Sequence, residues 1–349
     1  GLDTSLMIYS GGLGILAGDY LKETSDMNVN LVAVGLLYRY GYFNQRLTPQ
    51  GNQVAEYKPQ DFLKIPAEPV LGENGAWKTV SMQMPGRTLN ARIWKVAVGR
   101  TDLYLLDTDY EDNSPEDRQV THQLYGGDWE NRLKQEILLG IGGVRALREL
   151  GLCPKIYHYN EGHAAFAGLE RLRECIQDNH LSFSEALELV RASGLYTTHT
   201  PVPAGHDAFS EDMIGRYFSH YPGRLGIDWR TMMSLGRINA DNRDEKFSMS
   251  NLAANLSQNV NGVSMLHGKV SQDIFANMYP GFLPEELYIS YVTNGVHYPT
   301  WASKYWKEVH AKVFGPEFQT HHYDKSCFGG IYSVSDTEIW DVRKRLKKE

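Results

Sequence analysis

The pattern of apolar and polar positions along the chain predicts that strands and helices alternate. Short apolar runs predict strands at residues 6–9, 31–37, 155–159, 195–198 and 288–292. Apolar residues recur every three or four positions elsewhere, most regularly from Trp129 to Leu147, and Gly151 ends this predicted helix. Such alternation is typical of a mostly parallel sheet with helices on its faces. The sequence therefore predicts an α/β fold.

The segment of residues 75–110 has a different pattern. Apolar and polar residues alternate with a period of two in 78–84, 91–98 and 102–106, and turn residues such as Pro85-Gly86 and Gly99 separate these runs. This period is typical of strands with one buried face, and short turns between them favour hairpins. We expect an antiparallel β insertion here.

Three glycines interrupt the helix predicted from Trp129, at Gly140, Gly142 and Gly143. Each is unfavourable in a helix interior by roughly 1 kcal/mol relative to alanine. Because a glycine lets a neighbouring backbone come close, we expect this helix to pack tightly against another element.

Composition and charge narrow the classes of partner. The 349-residue chain has a formal charge of −7, and its basic residues are dispersed except at residues 343–348. A short basic end is typical of a solvated helix face, so no nucleic-acid partner is expected. No apolar run reaches the roughly 18 residues of a membrane span, so no membrane partner is expected. The three cysteines (Cys153, Cys175 and Cys327) have no metal-binding spacing and indicate reduced thiols in a cytoplasmic protein without a metal site.

The glycine cluster Ser10-Gly11-Gly12-Leu13-Gly14 precedes a segment predicted to be helical to about Met27, with Ser10 as its cap. The first N–H groups of a helix lack partners within the helix and carry partial positive charge, so they favour a phosphate or another oxygen-rich ligand. Two alternatives stay open: the glycines serve only tight strand–helix packing, or they form a relaxed dinucleotide-binding motif. That motif also needs an acid after the second strand, where Tyr38-Arg39-Tyr40 stands instead, and a Walker-type Gly-Lys-Ser/Thr is absent from the sequence.

Several predicted turns carry polar residues or glycines at the point where a strand ends or a helix begins. They lie at residues 11–14, 160–163, 198–200 and 294–295. In a parallel sheet, ligands collect outside the carboxyl ends of the strands. We therefore expect these turns to meet along one edge and to form a binding site.

Four groups of motifs follow one another along most of the chain. They are Tyr9-Ser10-Gly11-Gly12-Leu13-Gly14 with Tyr38-Arg39-Tyr40-Gly41-Tyr42-Phe43-Asn44-Gln45; Leu133-Lys134-Gln135-Glu136; Asn160-Glu161-Gly162-His163 with Thr197-Thr198-His199-Thr200; and Val260-Asn261-Gly262-Val263-Ser264-Met265-Leu266-His267 with Thr293-Asn294-Gly295-Val296. In this order they resemble the N-terminal lobe of the α-glucan phosphorylases, which act on glycogen, starch and maltodextrin. The resemblance extends over residues 5–301, with a weaker tail.

The resemblance implies a fold and an activity. Residues 1–305 would form the Rossmann-like N-terminal lobe of the glycosyltransferase B fold, and residues 306–349 would start the connection to a C-terminal lobe that the chain lacks. Members of the family transfer a glucosyl unit from an α-1,4-glucan to phosphate, which gives glucose 1-phosphate with retained configuration. Pyridoxal phosphate serves the full-length enzyme through its phosphate group, and its lysine belongs to the C-terminal lobe. The chain by itself is therefore expected to be inactive and to hold no cofactor, and a homodimer is a candidate assembly.

The resemblance also implies roles on the side of the cleft that holds the transferred sugar. The N–H groups of Gly11 and Gly12 would approach the substrate phosphate, with Gly12 also near the cofactor phosphate, and Leu13 would lie beside the glucosyl ring. His199 is the implied catalytic residue and contacts the glucosyl unit, while Asn294 binds a sugar hydroxyl. The alternatives are a structural histidine whose bonds are satisfied and an asparagine needed only for an Asn-Gly turn.

Glu161 and His163 are implied to line the acceptor side of the cleft, although a histidine at a helix start can also be structural. The family more often has Asp-Thr-His where this chain has Glu161-Gly162-His163, and many members have a basic residue at the position of Ile15. The loop of residues 200–207 resembles the shorter bacterial and archaeal branch.

Two other functions remain as alternatives. A nucleotide-sugar-dependent glycogen or starch synthase lobe has a similar glycine turn, but a lysine typically precedes it, where this chain has Tyr9-Ser10. A non-catalytic glucan-binding module would need no second lobe. The first residue is Gly1 and the first motif begins about ten residues into the chain, so we also expect a piece of a longer protein.

Overall fold

A computed structural model describes residues 1–202, 205–322 and 325–349. The strands are β1 (Val32–Leu36), β2 (Asn44–Leu47), β3 (Gln53–Glu56), β4 (Glu68–Pro69), β5 (Thr79–Met84), β6 (Arg87–Val98), β7 (Thr101–Asp107), β8 (Tyr157–Asn160), β9 (Gly194–Thr197), β10 (Ala208–Phe209), β11 (Phe247–Ser248), β12 (Asn259–Gly262) and β13 (Ile289–Tyr291). The α-helices are α1 (Gly11–Asp26), α2 (Pro115–Arg118), α3 (Trp129–Ile137), α4 (Gly143–Glu149), α5 (Phe166–Arg173), α6 (Phe183–Ala192), α7 (Glu211–Phe218), α8 (Tyr221–Leu225), α9 (Trp229–Ser234), α10 (Met249–Asn255), α11 (Met265–Phe275), α12 (Tyr298–Trp301), α13 (Lys304–Phe314), α14 (Phe318–His321) and α15 (Asp336–Leu346). The α/β class predicted from the sequence is confirmed.

The first main sheet has five strands in the order β1-β7-β6-β4, with β5 paired to β6. Strands β5, β6 and β7 are antiparallel, as their period of two predicts, and alternate residues of β5 are buried. Strand β7 continues this sheet by pairing in parallel with β1. The predicted insertion therefore does not stand apart: it extends the sheet that begins with β1.

The second main sheet consists of the four parallel strands β13-β12-β9-β8. The structure thus divides the strands between two sheets, whereas the sequence pattern suggested one mostly parallel sheet. The reason is the choice of partner for β1, because each of its residues lies opposite a residue of β7. Parallel pairing nevertheless brings the carboxyl ends of β8, β9, β12 and β13 to one edge, where the predicted turns at residues 160–163, 198–200 and 294–295 follow. The predicted turn at residues 11–14 does not follow a strand.

The apolar run at residues 6–9 is not a strand, contrary to the sequence prediction. The Gln60 side-chain amide donates to the backbone oxygens of Met7 (3.2 Å) and Tyr38 (2.6 Å), and its oxygen accepts from the Met7 N–H at 2.8 Å. A buried side chain thereby makes the backbone hydrogen bonds that a neighbouring strand would otherwise supply.

The long helix predicted from Trp129 is present and contains one π-helical turn, Leu138–Gly142, between α3 and α4. A Cβ atom added to Gly140 would lie 2.6 Å from the backbone N of Ala167 and 2.8 Å from the Phe166 Cβ. One added to Gly143 would lie 3.2 Å from Val34 on β1. These contacts confirm that the glycines permit close packing.

Gly140→Ala is expected to lower the free energy of unfolding by ~1–3 kcal/mol, because the added methyl overlaps a backbone that cannot move freely. Urea denaturation followed by circular dichroism measures this change. Gly223→Ala is the matched control, since Gly223 lies within α8 and no heavy atom comes within 4 Å of its added Cβ. That control should be neutral or stabilising by up to ~1 kcal/mol; equal effects of both substitutions would contradict the packing argument.

Two apolar clusters form the core. One contains Leu6, Leu21 of α1, and side chains of β6 and β7 such as Trp94 and Leu105. The other joins the opposite face of the first sheet to the second sheet, and includes Met82, Phe166 and Tyr196. The glycine-bearing start of α1 is therefore anchored by its buried second half. No helix in the described part of the chain is both long enough and apolar enough to cross a membrane.

Candidate functional site

The N-terminus of α1 has the features expected of an anion-binding helix start. Ser10 occupies the cap position in an extended conformation, but its side chain accepts no capping hydrogen bond. The first turn contains no acidic residue, and nothing lies within 4 Å of a Cβ added to Gly11 or Gly12. Gly11 has a φ of +67°, which a glycine adopts without strain. The predicted cap Ser10 therefore leaves the first N–H groups of a 16-residue helix available.

Glu161 and His199 are in direct contact at the carboxyl edge of the second sheet. Oε1 of Glu161 accepts the backbone N–H of His199 at 2.6 Å and the hydroxyl of Thr200 at 3.1 Å. His199 Nε2 lies 2.7 Å from Asn160 Oδ1. With that amide oxygen as acceptor, Nε2 carries the proton and Nδ1 keeps its lone pair. Both the backbone and the ring of His199 are thereby fixed in orientation.

Glu161 also has an unusual backbone conformation, with a φ of +72°. This left-handed region is uncommon for a residue with a Cβ and tends to occur where surrounding contacts impose it. Here the Glu161 N–H donates to the Thr197 oxygen at 2.9 Å, which extends the β8–β9 pairing by one residue. The turn after Glu161 orients its carboxylate toward the backbone N–H of His199.

Burial keeps the histidines of this site neutral. It lowers the pKa of His199 to about 4, and the nearby His267 and His158 act in the same direction. Burial also lowers the pKa of His163 to about 4, with a further contribution from Arg132. Burial raises the pKa of Glu161, although the hydrogen bonds from His199 and Thr200 oppose it. The site thus offers uncharged imidazoles at neutral pH.

We expect neither His163 nor His199 to titrate between pH 5 and 7 (pKa about 4 each). NMR of ring carbons labelled at Cε1 would measure this. Because an unfolded histidine has a pKa near 6.5 and so binds the proton more tightly, each contribution to stability falls as the pH decreases from 6.5 to 4. A midpoint near 6.5 for either ring would contradict this.

A cluster of ionisable side chains lies beside this unit; Glu136 is buried, whereas Arg132, Asp207 and His163 are half-buried. The Arg132 guanidinium contacts Asp207 Oδ2 at 2.7 Å and Glu136 Oε1 at 3.1 Å. Burial raises the pKa of Glu136 well above its usual range. Burial also acts to raise the pKa of Asp207, but Arg132 outweighs it and the pKa is lowered. Arg132 thus stabilises the charged form of Asp207, while burial favours the neutral form of Glu136.

The sequence analysis did not identify Arg132 or Asp207 as site residues. The i, i+4 spacing of Arg132 and Glu136 on α3 indicated a contact between these two, and Glu136 belongs to one of the quoted motifs. Asp207 had no comparable signal, because it lies 75 residues from Arg132 and only the fold brings them together. The adjoining residues Pro203 and Ala204 of the predicted 200–207 loop lie outside the described residues.

The α1 helix contacts the second sheet at β8, and Asn294 lies at the end of β12. The ring of Tyr20, in the middle of α1, lies 6.1 Å from that of His158 on β8, and His158 Nε2 contacts the Thr197 hydroxyl at 2.8 Å. The Asn294 N–H donates to Val263, directly after β12, at 3.2 Å. Leu13 is half-buried near the start of α1. Of the predicted site residues, Glu161 and His199 are the pair that the structure brings into direct contact.

No group of three or more His, Cys, Asp or Glu side chains within residues 1–202, 205–322 and 325–349 is arranged to hold a metal ion. Cys153 is exposed, Cys175 is buried, and neither forms a disulfide.

Comparison with known proteins gives consistent results. The sequence model of the carbohydrate phosphorylase family matches residues 152–322. The glycogen phosphorylase of Mycobacterium tuberculosis (strain ATCC 25618 / H37Rv) is 44% identical over 97% of this chain and 40% of its own length. The maltodextrin phosphorylase of Thermococcus litoralis is 39% identical over 100% of this chain and 41% of its own length. The glycogen phosphorylase of Aquifex aeolicus is 35% identical, with coverages of 100% and 50%. The chain therefore spans half or less of the length of these relatives.

Proposed function

Because this chain belongs to the carbohydrate phosphorylase family, we propose that it forms part of an α-glucan phosphorylase. The reaction would transfer a glucosyl unit from the end of an α-1,4-glucan to phosphate and give glucose 1-phosphate with retained configuration. The observation that supports this most is the contact of Glu161 and His199 at the carboxyl edge of the second sheet. The uncapped start of α1 is proposed to face the same cleft, so that a neutral sugar-binding group and an anion-binding group would border it together.

The start of α1 is proposed to bind the phosphate. The N–H groups of Gly11 and Gly12 would donate to its oxygens, and the helix dipole favours its negative charge. A side chain at either glycine would occupy the open space in front of these N–H groups. Leu13 would contact the apolar face of the glucosyl ring, which helps to exclude water.

His199 is proposed to contact the glucosyl unit. Positive charge develops on the sugar ring during a retaining transfer, so fixed dipoles beside the ring stabilise the transition state. A neutral imidazole with its proton on Nε2 offers the Nδ1 lone pair, and the backbone carbonyl of His199 is a second acceptor. An imidazolium would instead repel the developing charge. Asn294, which has both an amide donor and an acceptor, is proposed to bind a sugar hydroxyl.

Glu161 and His163 are proposed to line the acceptor side. Glu161 already accepts hydrogen bonds from His199 and Thr200, so it also holds the backbone that faces the sugar. The raised pKa of Glu161 makes its carboxylate easier to protonate than an exposed one, while the low pKa of His163 keeps that ring neutral. A glucan hydroxyl would find acceptors here without a net positive charge.

Pyridoxal phosphate is the proposed cofactor of the whole enzyme. The residues present fit the phosphate end of this molecule, because the start of α1 combines available N–H groups with open space at Gly12. When bound, the cofactor supplies a phosphate group that exchanges protons with the substrate phosphate. In this chain Gly12 would border that group.

The remaining proposals concern the domains, the assembly and the location of the protein. Residues 1–305 would form the Rossmann-like N-terminal lobe of a glycosyltransferase B fold, and residues 306–349 would start a connection to a second lobe. The family resemblance supports a homodimer, and the cysteine pattern supports a cytoplasmic location. Nucleic acids and membranes are not proposed as partners.

The experiment uses the protein expressed from the whole gene. Maltoheptaose and phosphate are supplied, and ³¹P NMR follows the product. The proposal predicts α-glucose 1-phosphate, while the 349-residue chain alone should give none. Transfer from a nucleotide sugar without phosphorolysis would support the synthase alternative. Retention of glucan with no turnover of either donor would instead support a binding module.

A further inference from the structure

One face of α1 carries a row of polar residues that contact the chain after β13. The residues are Asp19, Lys22, Glu23 and Asp26, spaced at i, i+3, i+4 and i+7 along the helix. Side chains at this spacing share one helix face. Their partners lie in segment 297–322, which follows the Asn294 turn.

Asp19 makes the central contact of this row. Its Oδ2 accepts the indole N–H of Trp301 at 2.6 Å and the backbone N–H of His297 at 3.2 Å. Asp19 is only 3% exposed, and its Oδ1 is buried without a hydrogen-bond partner. A charged acceptor makes stronger hydrogen bonds than a neutral one, and burial strengthens them further. We call Asp19, Asp26, His297 and Trp301 the α1 clamp.

Asp26 completes the α1 clamp from the last turn of the helix. Its Oδ2 lies 3.0 Å from His297 Nε2, and His297 Nδ1 lies 2.7 Å from the Thr300 hydroxyl. Lys22 Nζ also donates to that hydroxyl, at 3.2 Å. The His297 ring is thus held at both nitrogens. Segment 297–301 is fixed to α1 at several points, so the two move as one body.

The α1 clamp connects the two sides of the proposed site. Gly11 and Gly12 begin α1, and Asp19 lies about 12 Å further along the same rigid helix. Asn294 precedes His297 by three residues in a segment with no regular secondary structure. Such a segment depends on its neighbours for its position. Asn294 also donates its N–H to Val263 after β12, so this bond and Asp19 together set the distance between the phosphate-binding glycines and Asn294.

We propose that Asp19 is a positioning residue, which holds the Asn294 turn at a fixed spacing from the N–H groups of Gly11 and Gly12. The inference rests on the proposed function, because it assigns these two turns to the phosphate and to the sugar of one ligand. Glucose 1-phosphate carries both groups and must contact both turns at once. The glucan acceptor, which is proposed to contact Glu161 and His163, does not depend on this spacing.

The test compares Asp19→Asn and Trp301→Phe with the unaltered protein, each expressed from the whole gene. Asp19→Asn preserves side-chain volume and weakens the hydrogen bond between the two side chains, while Trp301→Phe removes it together with part of the aromatic ring. In the direction of glucan synthesis, the KM for glucose 1-phosphate should rise about tenfold, because small misplacements of binding groups are costly. The KM for the glucan should stay within about twofold. The double variant should be no worse than the more impaired single one, since both act on one contact.

Asp117→Asn is the matched control. Asp117 is also a buried aspartate, but it forms two hydrogen bonds of 2.7 Å with Arg87 on β6 and contacts neither ligand-binding turn. A purely structural loss would lower kcat with the fraction of folded protein and leave both KM values unchanged. That pattern in Asp19→Asn and Trp301→Phe, or an equal rise of both KM values, would overturn the inference.

A separate readout does not need turnover. Trp301 and Trp340 are exposed to a similar extent, 55% and 58%, but the Trp301 indole N–H donates to Asp19. The Trp301 indole N–H should therefore exchange with solvent more slowly than that of Trp340, and Asp19→Asn should abolish this difference. If the unaltered protein catalyses no phosphorolysis but Trp301 is protected, the proposed function fails and the contact stands. Unprotected Trp301 in an active enzyme would refute the inference alone.

Discussion

His199→Ala lowers kcat for phosphorolysis about 100- to 1,000-fold, if the imidazole stabilises the transition state as proposed, because loss of one fixed dipole has an effect of this size in other enzymes. The ring is held by Asn160 and the backbone by Glu161, so alanine removes an oriented group and leaves the backbone bond in place. Initial rates of glucose 1-phosphate release from maltoheptaose, at saturating phosphate, measure the change.

His220→Ala is the matched control for that result. Burial also lowers the pKa of His220, but its ring packs beside Tyr221 at the start of α8, outside the proposed site. Its kcat should stay within about twofold of the unaltered value, in line with the small effects usual away from a functional site. A His199→Ala enzyme that keeps a third or more of its kcat would show that the histidine is structural.

Arg132→Met is expected to have the largest effect on stability. Asp207, which is half-buried, would remain without its cation, and we expect a loss of ~2–4 kcal/mol, at or below the range for a fully buried pair. Burial favours the neutral form of Glu136, so its carboxyl loses less when the cation is removed. Denaturation by urea at pH 7 measures the free energy of unfolding.

The control for this prediction is Arg230→Met. Arg230 and Asp241 form an equally short pair, at 2.6 and 2.7 Å, but both side chains are 65% exposed. Solvent screens such a pair, so the change should be much smaller than that of Arg132→Met. The loss in Arg132→Met should also shrink at lower pH, because Asp207 without its cation takes up a proton readily. Similar losses for the two arginine variants would contradict the assigned burial.

Local patterns predicted the elements of this fold well. The helix from Trp129 and the strands predicted in residues 78–84, 91–98 and 102–106 are confirmed. Each depends on residues within one element or on a short turn. The pairing of β1 with β7 could not be predicted, because those strands are more than 60 residues apart and an apolar strand has no signal for its partner. The absence of a strand at residues 6–9 could not be predicted either, because the side chain of the distant Gln60 makes the backbone hydrogen bonds that a neighbouring strand would make.

The candidate site, like the fold, could be predicted where its residues follow neighbouring strands but not where their partners are distant in the sequence. The turns after β8 and β9 were expected at one edge, and their contact through Glu161 and His199 agrees with parallel pairing of these strands. The left-handed conformation of Glu161 had no signal, since glycine or asparagine is the usual choice there. Asp207 and Asp19 were also not identified, because their partners are distant in the sequence. Roles assigned to individual residues remain predictions.

The π-helical turn between α3 and α4 has a consequence for how the protein loses its structure. Gly143 packs against Val34 of the first sheet, and Gly140 packs against Phe166, which belongs to the core of the second. If either sheet moved away from this part of the helix, apolar side chains of both sheets would be exposed to water. Amide protons of β7 and β9 should therefore exchange in one cooperative opening, even though no strand within the described residues joins the two sheets.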